Sequence, residues 1–260
     1  MNLVGFLFRS SIGRKILMAI TGVILIGFVI GHLIGNLQVF SAPDHINGYA
    51  AFLRGLGPLL WIARIVLIVS VAIHIWAGVA LSLENRAARG PEPYAVKHTI
   101  RATLASRTMK WTGLVVLAFI IYHLAHFTWG FAQPESFKEH LASQRGPYIM
   151  QDDYHVAGFL TVKKGAPVED VHSMVILGFQ SAAVSVFYII AVGLLSYHLL
   201  HGFDSMFQTL GLRSTRWARG LRTVAVLFCL LYFLGNLVIP GAVLAGKLQP
   251  RPTAVAVAPR

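Results

Sequence analysis

Residues 15–40 read KILMAITGVILIGFVIGHLIGNLQVF, with no acidic or basic side chain after Lys15. At about 1.5 Å of rise per residue, a helix over 16–40 crosses roughly 30 Å of hydrocarbon. The stretch is too long for the apolar core of a signal peptide and has no A-x-A cleavage site, so it reads as a permanent span. Four more stretches of the same kind follow, near 59–83, 110–132, 174–200 and 220–246. The expected fold is an all-α membrane protein of five transmembrane helices, one bundle over residues 1–260. The external loop 133–173 is expected to be an ordered cap with little regular structure, because Pro134, Gly146, Pro147, Gly165 and Pro167 punctuate it. Residues 250–260, PRPTAVAVAPR, read as a loose tail.

Composition supports the membrane reading: 56% of the residues are hydrophobic and only 12% charged, too few to surface a water-soluble domain of this length. The net charge of +12 does not indicate nucleic acid, because the basic residues lie in loops, where they set topology. Arg9, Arg14 and Lys15 precede the first span. Arg86, Arg89, Lys97, Arg101, Arg107 and Lys110 occupy the second loop, and Arg213, Arg216, Arg219 and Arg222 the fourth. The first loop has Arg54 alone, and the basic residues of the third are offset by Glu135, Glu139, Asp152, Asp153, Glu169 and Asp170. The N-terminus is therefore expected in the cytoplasm and the C-terminus outside, against the mild contrary pull of Lys247, Arg251 and Arg260. The single cysteine, Cys229, excludes an internal disulfide and a cysteine-ligated iron-sulfur cluster held by this chain alone.

Six histidines fall in or at the end of apolar spans: His32, His74, His123, His126, His198 and His201. His45, His98, His140, His155 and His172 lie in loops and carry no comparable signal. Imidazole in hydrocarbon is costly unless a partner satisfies it. One such histidine is most simply an interhelical hydrogen bond, but here each of the first four spans has at least one. Counting along the spans places His32 and His123 roughly 24 Å and roughly 20 Å from the cytoplasmic side, and His74 and His198 nearer that side. Two pairs on different helices, one towards each face, suit two bis-histidine haems that carry electrons across the bilayer. The spacing of YHLAHF and YHLLHG puts His123 with His126, and His198 with His201, on shared helix faces. Depth favours His198, since His201 is expected at or beyond the interface; it leaves His123 and His126 both open. Gly27, Gly31, Gly35, Gly78, Gly193 and Gly202 are read either as sites of close helix packing or as room for a flat macrocycle.

These residues resemble the five-helix, di-haem cytochrome b subunit of succinate dehydrogenase and fumarate reductase. The resemblance covers nearly the whole chain. It is carried by SSIGRKILMAITG (10–22), GHLIGN (31–36), IHIWAG (73–78), YHLAHF (122–127) and MVILGFQSAAVSVFYIIAVGLLSYHLLHGFDSMFQTLG (174–211). It implies that His32 and His123 ligate the distal haem b and that His74 and His198 ligate the proximal one, and it prefers His123 to His126. His126 and His201 would then be supporting groups near a propionate or a quinone. It further implies a flavoprotein subunit and an iron-sulfur subunit docked on the cytoplasmic face of a bacterial inner membrane, with menaquinone or ubiquinone as the lipid-borne substrate. Succinate chemistry itself would belong to the flavoprotein.

A quinone site needs a polar or titratable group beside the ring. Outside, Arg64 is a candidate with Asp44 and His45 nearby, though Arg64 equally suits a haem propionate. Inside, Ser10, Ser11, Arg14 and Lys15 are candidates at the start of span one. The rival readings are a hydrogenase or formate dehydrogenase type anchor, the cytochrome b of a bc complex, and a proton-coupled transporter. The bc type places two histidines about 14 residues, roughly four helical turns, apart on each of two helices, a spacing no span has here. A transporter predicts acidic residues within spans, and 16–40 and 174–200 contain none.

Overall fold

The computed structural model describes residues 2–92 and 103–252. Lys97, His98 and Arg101 of the second loop, Arg260 and the tail beyond residue 252 lie outside the described residues. Nine α-helices run through the described residues: α1 (Leu3–Arg9), α2 (Ser11–Leu37), α3 (Pro43–Gly55), α4 (Pro58–Arg89), α5 (Leu104–Phe127), α6 (Lys138–Arg145), α7 (Val171–Phe179), α8 (Ala182–Thr209) and α9 (Ala218–Leu244). Of these, α2, α4, α5, α8 and α9 are long and apolar enough to cross a membrane. The protein is a multi-pass, all-α membrane protein. Its long helices present bare aliphatic side chains such as Ile62, Ile65, Val69, Leu230 and Leu231, the surface that acyl chains require and water penalises.

Both ends of the third and fourth spans depart from expectation. The fourth span does not start at 174: residues 171–179 form the separate helix α7, and the long helix begins at Ala182. The polar pair Gln180–Ser181 interrupts an apolar run that hydropathy reads as continuous, and the Ser185 hydroxyl donates to the Phe179 carbonyl at 2.6 Å, satisfying the end of α7. At its other end α8 continues past His201 to Thr209, so His201 lies within the long helix. The third span begins earlier and ends at Phe127, where Gly130 turns the chain with a φ of 73°.

The described residues group into two compact units. The first comprises the chain up to Gly31, Trp61–Val115 and Gly193–Tyr232. Most of its buried positions are small or weakly polar, among them Ala19, Thr21, Ser70, Ala77, Ala105, Thr112, Ser196 and Ala225. Helices pack closely through such residues where no hydrophobic force drives them together. At its start, Asn2 caps α1 by accepting from Gly5 N–H, and the Ser10 hydroxyl accepts from Gly13 N–H at 2.9 Å to cap α2. Gly13 is obligatory at this corner, since a Cβ there would run into the backbone of Phe6 and Leu7.

The second unit comprises His32–Leu60, Val116–Val192 and Phe233 onward. It contains a helix that the sequence reading did not foresee, α3, in the first loop, started by Pro43 at its first position. The loop 133–173 is also more regular than expected. It carries α6, two antiparallel ribbons pairing β1 (Tyr148–Ile149) with β4 (Pro167–Val168) and β2 (Tyr154–Val156) with β3 (Phe159–Val162), and the start of α7. Ala157 and Gly158, both at positive φ, make the tight turn between β2 and β3.

Polar contacts that are distant in sequence hold this cap. The buried Asp44 carboxylate accepts from Gln151 N–H at 2.7 Å, and Asn47 accepts from His172 N–H at 2.9 Å. Arg251 donates to the carbonyls of Arg145, Gly146 and Pro147 and faces Asp170 at 3.4 Å. Burial, helped by the neighbouring Asp44 carboxylate, pushes the Tyr148 hydroxyl up to about 12. His172 is a buried cap residue, not a loop histidine. Burial holds it below the ordinary imidazole value, against the opposing pull of Asp170 and a bond to the Val39 carbonyl.

Candidate functional site

The first unit brings His74 of α4 opposite His198 of α8, with ring centroids 6.5 Å apart and planes inclined by 60°. Each ring is held from behind by a threonine on a third helix. The Thr21 hydroxyl lies 3.2 Å from His74 Nδ1, and the Thr112 hydroxyl 3.1 Å from His198 Nδ1. Both hydroxyls already donate to carbonyls of their own helices, Thr21 to Leu17 at 2.8 Å and Thr112 to Met109 at 3.2 Å. Each oxygen is therefore left to accept, so Nδ1 carries the imidazole proton and Nε2 keeps its lone pair. That is the tautomer a metal ligand needs.

A glycine follows each threonine. A Cβ on Gly22 would come 3.8 Å from His74 Cε1, and one on Gly113 3.4 Å from His198 Cε1. The dipeptides Thr21-Gly22 and Thr112-Gly113 thus form matching seats, one for each ring. These threonines were missed by the sequence reading, although the repeated Thr-Gly in two spans was the available signal.

In the second unit, His32 of α2 faces His123 of α5, with ring centroids 5.7 Å apart and planes at 88°. His126 does not share this arrangement. Its ring is 1% exposed and stacks on Phe127 at 3.9 Å, and a Cβ on Gly178 would sit 2.9 Å from its Nε2. Tyr188 of α8 stands between the two α5 histidines: its hydroxyl lies 2.9 Å from His126 Nδ1 and 3.4 Å from His123 Nδ1. Phe119, Tyr122, Phe127 and Phe179 pack around the Tyr188 ring. Tyr188 was the second residue not foreseen, since a tyrosine within an apolar span raises no alarm by itself.

Two imidazoles bound on opposite sides of one metal atom, at about 2.0–2.1 Å from metal to nitrogen, have ring centroids roughly 6 Å apart. Both pairs have that separation. Among the described residues no three His, Cys, Asp or Glu side chains converge in the manner of a metal site. Each pair offers two nitrogens, so a metal between them would take its remaining ligands from a cofactor. The span glycines fall into two sets. A Cβ on Gly27, Gly31, Gly78 or Gly202 would meet nothing within 4 Å, whereas Gly35 and Gly235 abut Tyr49 and Leu33. Close packing accounts for the second set and not for the first.

The other candidates are placed as follows. Arg14 forms an ion pair with Glu84, donates to the Phe8 carbonyl at 3.0 Å and lies over Trp76 at 5.7 Å. Ser10 is spent on its cap, while Ser11 and Lys15 are exposed. Arg64 is exposed on α4, its guanidinium 4.9 Å from the Trp61 ring. Asp44 belongs to the cap, and His45 meets Tyr154 edge-on at 6.3 Å. His201 is half-buried on α8, near Asp204, which pairs with Arg213 at 3.4 Å. Comparison of the chain with family models, with curated proteins and with solved structures gives no match.

Proposed function

We propose that the chain is the membrane-anchoring cytochrome b subunit of a succinate:quinone oxidoreductase. In this reading it binds two haem b groups and carries electrons between an iron-sulfur partner and membrane quinone. The observation that carries the reading is the pair of facing imidazole couples, His74 with His198 and His32 with His123, each at the spacing of a bis-histidine ligand set. The family resemblance of the motifs around these histidines narrows it from a b-type carrier to this class of anchor.

A b haem held by His74 and His198, and another held by His32 and His123, would supply one-electron chemistry. The chain's own residues do the rest. Thr21 and Thr112 accept from Nδ1 of His74 and His198, fixing the ring orientation and raising the basicity of Nε2. Gly22 and Gly113 let the rings approach the neighbouring helices. The aliphatic surroundings keep water away, so an electron moves with little solvent rearrangement.

The basic loops assign the N-terminus, the second loop and the fourth loop to the cytoplasm of a bacterial inner membrane, and the C-terminus to the outside. The flavoprotein and iron-sulfur subunits dock on that basic side, with the His74–His198 centre nearer to them. Menaquinone or ubiquinone exchanges electrons at a site on either face. With Arg14 taken up by Glu84 and two carbonyls, the free polar groups at the start of α2 reduce to Ser11 and Lys15. Arg64 keeps its role as a propionate or quinone partner.

The test is a reduced-minus-oxidised absorption spectrum of the purified complex, with extracted haem counted per chain. The expected result is b-type bands from two haems per chain, reducible by succinate when the partner subunits are present. A chain without b-type bands overturns the proposal; haems that succinate cannot reduce in the intact complex overturn the assignment to this enzyme class.

A further inference from the structure

The two imidazole couples are backed by different chemistry. Behind His74 and His198 stand threonine hydroxyls whose protons are committed to backbone carbonyls, so each hydrogen bond ends there. Behind His123 stands Tyr188, and the same hydroxyl also contacts His126 Nδ1. A hydroxyl has one proton, so it donates in one direction and accepts in the other. Once His123 uses Nε2 as a ligand, its proton sits on Nδ1 and points at the Tyr188 oxygen. Tyr188 must then donate to His126 Nδ1, which leaves the His126 proton on Nε2.

We propose that Tyr188 and His126 form a positioning relay that sets the electron affinity of the centre built on His32 and His123, and that this relay makes it differ from the centre built on His74 and His198. The proposal rests on the haem reading above. The physical basis is polarisation along the chain of hydrogen bonds. A hydroxyl that donates to a ring nitrogen becomes a better acceptor, and a stronger acceptor on Nδ1–H makes the ligating Nε2 more electron-rich, favouring the oxidised metal. The aromatic cage holds the relay in place: Phe119 and Phe179 meet the Tyr188 ring edge-on at 5.2 Å and 4.9 Å, and Phe127 stacks on His126. His126 thus acts through Tyr188 and touches no metal, which gives a reason for a buried second histidine three residues beyond the ligand.

The experiment is potentiometric titration of the haem bands in the whole complex, with paramagnetic resonance of the oxidised state. The two haems are assigned from His32→Ala and His74→Ala. Tyr188→Phe is expected to raise the midpoint of the His32–His123 haem by about a tenfold change in its reduction equilibrium, or about 59 mV for one electron, with the other haem unmoved. His126→Leu is expected to shift it less and in the same direction, and His126→Asn, whose amide oxygen still accepts from Tyr188, to restore it. An unmoved midpoint in Tyr188→Phe with both haems bound overturns the relay and leaves the haem reading intact. A wild-type chain without b-type haem overturns the reading beneath it. If Tyr188→Phe does not retain haem, the His126→Leu and His126→Asn pair decides, since both leave the tyrosine in place: equal midpoints overturn the relay. Nitrogen-15 resonances of the reduced, diamagnetic haem-loaded complex give an independent readout, with protonated Nε2 expected at His126 and protonated Nδ1 there overturning the relay.

Discussion

His32 and His123 meet edge to face, their ring centroids 5.7 Å apart on two different helices, and His74 and His198 repeat the relationship at 6.5 Å. Ligands of one iron stand or fall together. His74→Ala and His198→Ala are therefore expected to abolish the same spectral component, and His32→Ala and His123→Ala the other. Loss of different components within a couple, followed by low-temperature absorption, would break the pairing.

His126→Ala is expected to leave two haems per chain, because the ring is packed against Phe127 and hydrogen-bonded to Tyr188 instead of facing His32. Its cost should appear as a cavity, on the order of 2–4 kcal/mol in stability. Haem counting checks the first statement: disappearance of the His32-linked haem would move the ligand role from His123 to His126.

Thr21→Val and Thr112→Val keep the shape of the side chain and delete the acceptor behind His74 or His198. Loss of such an outer hydrogen bond typically weakens metal binding about 10- to 100-fold, so partial loss of the His74–His198 haem is expected in each. Thr→Ser at either site retains the hydroxyl and should retain the haem, which separates the hydrogen bond from packing.

Gly178→Ala places a methyl 2.9 Å from both His126 Nε2 and Phe127 Cε1. Overpacking of a tight site costs about 1–3 kcal/mol, and a lower thermal midpoint in detergent is expected. Gly27→Ala, which meets nothing within 4 Å, should keep stability; in the proposed function it reports instead on haem content.

Tyr148 gives the cap an alkaline limit. Its hydroxyl ionises at about 12 in the folded protein against roughly 10 in an unfolded chain, so the fold favours the neutral form. The stability this contributes is fully present below about pH 10 and is lost as pH rises through about 12. Ultraviolet titration should show one late-ionising tyrosine fewer in Tyr148→Phe than in the wild type; a wild-type profile in that variant would refute the assignment.

The five spans were legible because hydropathy over some twenty residues integrates many small signals. Their ends were less so: a single polar pair, Gln180–Ser181, moved the start of α8, and its effect depends on where the Ser185 hydroxyl finds its acceptor. The histidines announced themselves because imidazole in oil is conspicuous. Thr21, Thr112 and Tyr188 did not, since hydroxyls are cheap in a helix that can bond them to its own carbonyls. Their importance comes from the rotation of one helix against another. The sequence was equally silent on the partner of Arg14, which is Glu84. The cap stayed illegible for the same reason at longer range, because α3 and the ribbons are stabilised by partners such as Gln151 for Asp44 and His172 for Asn47, each more than a hundred residues away.

Arg251 closes the turn at Arg145–Pro147 and faces Asp170, and it follows the last long helix. During synthesis the corner at 145–147 and the carboxylate at 170 emerge from the ribosome well before the guanidinium that completes them. Final closure of this face must therefore wait until α9 has entered the bilayer. A nascent chain stalled before that point would hold the carbonyls of 145–147 without their donor, and an Asp170 that caps α7 but has no counter-ion.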